Sequence, residues 1–202
     1  MLPSVEAQKQ LWLPLSIAPT LVEAGYDADY ERFRHEAIER HGRVTDPVDR
    51  VNLLRSCLLL PADETLLEKL RPHVEPIAAA VAKNEKQLGN AGWGAYALAL
   101  QAWRAGDFAG SLKWSREGLA SPIENQPRLA GSHSLAAMAA YRSGQVEVAQ
   151  DDLEKAHVIL AGTYEDSYTP RGGKSGNWAD WAIARILERE ASAVVGGGNV
   201  ER

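Results

Sequence analysis

The phrase Ala102-Trp103-Arg104-Ala105-Gly106-Asp107-Phe108 returns 38 residues further on, from Gly106 to Gly144, as Ala140-Tyr141-Arg142-Ser143-Gly144-Gln145-Val146. A fixed period that carries small residues in a helical pattern is the mark of stacked helix pairs. The period sets the architecture as helix upon helix, and the architecture bounds the function without naming a partner.

Helix dominates the rest of the chain, because few alternating β-branched runs argue for a sheet. Breakers divide it at Gly25, Gly42, Pro61, Gly89, Gly106, the stretch from Pro122 to Pro127, Gly144, and the segment from Gly162 to Gly176. These predict about nine helices, near 7–24, 27–41, 46–60, 64–87, 91–105, 107–120, 128–143, 145–161 and 177–194. Pro14 and Pro19 each remove a backbone donor and so kink or shorten the first. Asp46-Pro47 reads as a capping residue followed by proline at the first helical position, and Asp63 and Asn177 read as caps for later helices. One helical domain is expected over 1–194, with a flexible tail over 195–202 that contains Gly196, Gly197 and Gly198.

Aligning Gly106 with Gly144 sets Leu98, Ala99 and Ala102 opposite Ala136, Ala137 and Ala140, where small residues let antiparallel helices approach closely. In the second helix of each pair, Phe108, Ser111, Gly118 and Leu119 correspond to Val146, Ala149, Ala156 and His157. This pattern resembles the tetratricopeptide repeat, whose unit of about 34 residues wants small residues at these positions and glycine at the turn. Gly25 aligns a third, degenerate copy, with Asp27, Tyr30, Ala37 and Ile38 in the slots of Phe108, Ser111, Gly118 and Leu119. The 81 residues from Gly25 to Gly106 leave room for one further pair, its turn taken by Pro61. The resemblance implies an all-α fold, a right-handed superhelix of antiparallel helix pairs (a TPR-like α-solenoid); Trp178, Trp181, Ile183, Ala184 and Leu187 form the apolar face of a final helix, read as a C-terminal cap over the open end of the stack in preference to a binding hot spot.

A further resemblance runs from about Tyr30 to Ala193. It rests on Tyr30-Glu31-Arg32-Phe33-Arg34, Asp46-Pro47, Cys57-Leu58-Leu59-Leu60-Pro61, Trp103-Arg104-Ala105-Gly106, Trp178-Ala179-Asp180-Trp181 and Arg189-Glu190-Ala191. As a set these resemble the tetratricopeptide-like carboxy-terminal regions of large bacterial serine/threonine protein kinases. The kinase motifs themselves are missing from this sequence: there is no glycine-rich loop with its lysine and no His-Arg-Asp loop, and Asp107-Phe108 is followed by Ala109. The resemblance therefore implies a non-catalytic appendage or a stand-alone relative.

Composition narrows the partners. A formal charge of −5 with no basic block disfavours nucleic acid, since phosphate binding needs clustered Lys and Arg. Cys57, the single cysteine, admits neither an intrachain disulfide nor a Cys-based zinc site and reads as a small buried thiol. The apolar stretch from Leu11 to Val22 is too short to span a bilayer, and only Lys9 precedes it as a basic flank, so a cytoplasmic chain without membrane insertion is expected.

Motifs that carry chemistry fall short of their requirements. Gly172-Gly173-Lys174-Ser175 resembles the end of a phosphate-binding loop, but Tyr168 stands where the first glycine belongs. His35-Glu36 and His41 lack the four-residue spacing of a zinc helix, and six apart the two histidines diverge by about 120°. His73, His133 and His157 are scattered and read as solvated or partly buried. Asp151, Asp152 and Glu154, like Glu188 and Glu190, read as charged solvent faces. With no nucleophile, metal set or cofactor motif converging, neither an enzymatic reaction nor a cofactor or metal is expected.

A surface is the better functional candidate. At about 100° per residue, Trp93, Tyr96, Leu100, Trp103 and Arg104 share one stripe, and Ser134, Met138, Tyr141 and Arg142 form the matching stripe a repeat later. Lining the concave side, they would offer aromatic contacts to a protein or peptide, with Arg104 and Arg142 orienting an acidic or backbone oxygen. The competing reading packs Trp93 and Trp103 into neighbouring helices or under a capping helix. Ala97, Leu100, Gly131 and Leu135 stand where a carboxylate clamp would need Lys, Asn or Arg, which disfavours that ligand. The expected role is a protein-interaction or scaffold module, with a sensor that binds a small molecule or peptide inside the superhelix as the alternative.

Overall fold

A computed structural model describes residues 15–83, 91–162 and 178–197, and among these every regular element is a helix. In chain order they are α1 (15–23), α2 (Asp27–His41), α3 (Pro47–Cys57), α4 (Glu64–Leu70), α5 (Val74–Ala82), α6 (Ala91–Arg104), α7 (Phe108–Leu119), α8 (Gln126–Arg142), α9 (Val146–Gly162) and α10 (Trp178–Val195). The predicted segment 7–14, the end of the fourth predicted helix beyond Lys83, Gly89, the Gly172–Ser175 motif, the Asn177 cap and the tail 198–202 lie outside the described residues.

The three aligned glycines make one and the same turn. Gly25, Gly106 and Gly144 have φ of 72°, 75° and 77°, the left-handed conformation that a Cβ penalises. At each, the glycine N–H donates to the carbonyl three residues back (Val22, Trp103, Tyr141), and the following N–H donates five back (Leu21, Ala102, Ala140). The loops are so short that α6 with α7, and α8 with α9, fold back as hairpins and form the most extensive helix contacts among the described residues. The aligned seam is buried in all three copies: Tyr30, Ser111 and Ala149 at one position, Ala37, Gly118 and Ala156 at the next.

Caps start several helices as the sequence predicts. The Asp46 carboxylate accepts from the N–H groups of Val48 and Asp49, with Pro47 opening α3, and Asp63 accepts from Leu66 N–H at 2.7 Å. The helix predicted over 64–87 is corrected: α4 and α5 are separate, joined by a 3-10 turn at Arg71–His73. Pro72 and Pro76 each lack the N–H that a continuous helix would need. The Pro72 carbonyl, left without its donor four residues on, accepts instead from Arg50 Nη1 at 3.1 Å.

Between α3 and α4 the chain runs through the interior, with Leu58 and Leu59 fully buried. Buried backbone groups need partners, and three side chains supply them. The Tyr30 hydroxyl donates to Ser56 O and accepts from Leu59 N–H, Arg34 Nη1 donates to Pro61 O, and Arg104 donates from Nε to Leu58 O and from Nη2 to Leu59 O. The apolar core is continuous, from Leu15 in α1 to Ala191 in α10. No helix among the described residues is long and apolar enough to cross a membrane.

Candidate functional site

The two predicted stripes lie on α6 and α8, which pack side by side, and burial divides their residues. Tyr96, Leu100, Ser134 and Met138 are at most 1% exposed, and Trp103 is 9% exposed. They are therefore corrected from open contact residues to packed ones. The physical reason is that both helices are covered on more than one side, α6 by α3, α5 and α7 and α8 by α7, α9 and α10, with α10 reaching α3 and α6 through Asp180 and Glu190.

Trp93 and Tyr96 serve a cation within the fold. The guanidinium of Arg55, on α3, lies 4.0 Å from the Trp93 ring centroid and 5.7 Å from that of Tyr96, while its Nη2 donates to Asp180 of α10. Ten residues along, Glu190 accepts from Trp103 Nε1 at 2.9 Å and from Arg104 Nη1 and Nη2 at 2.5 and 2.7 Å. Arg104, expected to meet a ligand's acid, thus meets a carboxylate of its own chain. Asp180 to Glu190 spans about 15 Å of helix, which matches the rise from Trp93 to Arg104, so α10 runs in the direction of α6. The expected covering helix buries Trp181, Ile183, Ala184 and Leu187 and leaves Trp178 half-buried, and it also reaches well past the last pair.

Three readings of charged residues are corrected with it. Glu190 and Glu188 are not a solvated face: the first pairs with Arg104, and the second lies 2.6 Å from His157 Nε2 on α9. Asp152 is buried, with bidentate bonds from Arg116 at 2.8 and 2.5 Å and His133 Nδ1 at 2.9 Å, so α7, α8 and α9 converge on one carboxylate. Burial pushes the Asp152 carboxyl up, but the His133 and Arg116 hydrogen bonds and the guanidinium charge outweigh it and hold the group below its usual range. His73 is fully buried, and burial, with Arg50 nearby, lowers its pKa. No periodicity marks these positions: an aspartate aimed at an arginine two helices away looks in sequence like any surface aspartate.

Arg128 has no sequence signature either. Wholly buried at the start of α8, it donates to Gly118 O and, at 2.7 Å, to Ile123 O, capping the last carbonyls of α7 and the loop after it. Cys57 is buried as expected, and burial pushes its thiol up to about 12, far from a reactive thiolate.

A pocket of about 540 Å³ lies where the C-terminal ends of α6, α8 and α10 meet the α3–α4 linker. Trp103, Arg104 and Arg142 of the predicted stripes come together in its wall with Phe108, Glu190 and Val194. Trp103 and Phe108 are tilted ring to ring at 5.3 Å, and the exposed Arg142 guanidinium lies 4.7 Å from the Phe108 centroid. Tyr141 is half-buried. Among the described residues no three His, Cys, Asp or Glu side chains gather as a metal site. Comparison with family models, with curated proteins and with solved structures returns no match.

Proposed function

We propose that this chain is a non-catalytic, tetratricopeptide-like interaction module, a right-handed superhelix of antiparallel pairs whose concave groove recognises an amphipathic helix bearing carboxylates. Three glycine turns with one hydrogen-bond pattern, and the common seam of Tyr30, Ser111 and Ala149, support the repeat reading. The observation that carries the recognition is α10 itself. It packs along α8, buries an apolar stripe there, and sets Asp180 on Arg55 of α3 and Glu190 on Arg104 of α6. A groove that holds its own helix this way describes its partner: a helix with an apolar face and two acids about ten residues apart, competing with α10. The phrases that resemble the ends of bacterial kinases make a regulatory appendage of a larger signalling protein the natural setting.

The test weakens the resident helix without touching the groove. In the Asp180→Asn, Glu190→Gln double variant, amide exchange in α10 should quicken, and a labelled peptide of residues 178–195 should bind in trans. The same peptide carrying both substitutions should bind at least tenfold more weakly, as loss of two charge-assisted pairs requires. Equal binding of the two peptides would remove the groove reading.

A second reading, a small-molecule sensor, is favoured by one observation: the pocket beside Trp103 and Phe108 stays open although α10 is seated, and at about 540 Å³ it lies in the range of small-ligand sites.

A further inference from the structure

We infer that the pocket between Trp103, Phe108, Arg142 and Val194 binds a small organic acid, its carboxylate on Arg142 and its apolar body against the two rings. This rests on the sensor reading and gives it a ligand class.

The other charged groups of the pocket wall are engaged within the chain. Glu190 already accepts three hydrogen bonds, from Trp103 Nε1 and both terminal nitrogens of Arg104. Arg104 also donates from Nε to Leu58 O and from Nη2 to Leu59 O, so four of its five N–H groups are directed at its own chain. Pro61 O accepts from Arg34, and Asp63 accepts from Leu66 N–H at the start of α4. Arg142 is different. It is exposed, its guanidinium lies 4.7 Å from the Phe108 ring centroid, and among the described residues it pairs with no carboxylate. A guanidinium held against a ring keeps its N–H donors for a planar anion, which it takes bidentately.

Apolar walls surround this cation. Trp103, Phe108, Val194, Pro61 and Ala62 supply them, so the ligand carries a hydrocarbon body as well as the acid. At about 540 Å³ the pocket lies in the range of small-ligand sites. A compact aromatic or branched aliphatic monocarboxylate fits.

Calorimetric titration of the full chain with naphthaleneacetate, its neutral amide and the matching amine, naphthylethylamine, tests this. The acid should bind, and the amide and amine should bind at least tenfold more weakly, the scale of a charge-assisted bidentate pair. Arg142→Gln should weaken the acid by about tenfold, and Arg142→Lys by less, without a change in melting temperature, since the side chain is exposed. N-acetylphenylalanine and a longer peptide ending in phenylalanine distinguish a free acid from a chain terminus. Binding of the peptide alone would overturn the small-acid ligand. If amide and acid bind alike and Arg142→Gln changes neither, the anion assignment falls while the sensor reading survives. If none of the probes binds, both fall.

Discussion

Gly131 shows how a single hydrogen atom in place of a methyl decides packing. A Cβ there would sit 2.8 Å from the ring of Tyr96, itself buried and unable to retreat. Gly131→Ala should therefore lower stability by about 1–3 kcal/mol through overpacking, read as an earlier urea midpoint with an unchanged slope. Asp152 acts at the same scale through charge. Its folded pKa lies below the ordinary 3.8, so its contribution is complete above that value and is lost as pH falls through the folded pKa. His73, lowered from 6.5, also favours the native state above its ordinary pKa, and that contribution declines as pH drops below about 6.5. Denaturation followed from pH 7 downward should show stability falling gently below about 6.5 and further below about 4. Asp152→Asn should start about 2 kcal/mol lower at neutral pH, as expected for losing a charged hydrogen-bond partner, and should lack the acid step. A variant that keeps the full acid step would show that Asp152 does not carry it.

At the scale of the element, the three glycine turns are interchangeable parts. A Cβ on Gly25, Gly106 or Gly144 meets no atom within 4 Å, so substitution is opposed by backbone conformation alone. Gly→Ala at each site should then cost a similar amount, about 1–2 kcal/mol, measurable by chemical denaturation. A much larger loss at one site would mean that the turns are not equivalent. The helices between them follow local rules wherever those rules agree: an aspartate cap and a proline at the first position start α3, and an aspartate starts α4. Where two prolines interrupt a predicted helix, the chain breaks into α4 and α5, and Arg50 from another element satisfies the orphaned carbonyl. The same device recurs in the α3–α4 linker, where Tyr30, Arg34 and Arg104 satisfy buried backbone that no helix covers.

At the scale of the whole molecule, α10 ties the two halves of the chain together. It joins α3 through Arg55 and Asp180, α6 through Arg104 and Glu190, α9 through His157 and Glu188, and α1 through Arg189 and Glu23. Removing residues 178–202 would uncover the face of α8 that α10 packs on and leave Arg55 and Arg104 without their acids. The melting temperature should drop by more than 10 °C, given roughly 3 kcal/mol for each broken buried pair, and dye binding to exposed apolar surface should rise. An unchanged melting temperature would contradict the position of α10. Much of this protein was legible as a line of letters: the helices, the glycine turns, the caps at Asp46 and Asp63, and the small-residue seam. Each depends on chemistry within a few residues or on a repeat that can be laid over itself. The face on which Trp93, Tyr96 and Trp103 close, and the ends of the ion pairs at Asp152, Asp180 and Glu190, were decided only when distant helices came together. A helical stripe looks the same whether solvent, a partner or the chain's own last helix lies against it, and burial by an element 86 residues away leaves no local trace.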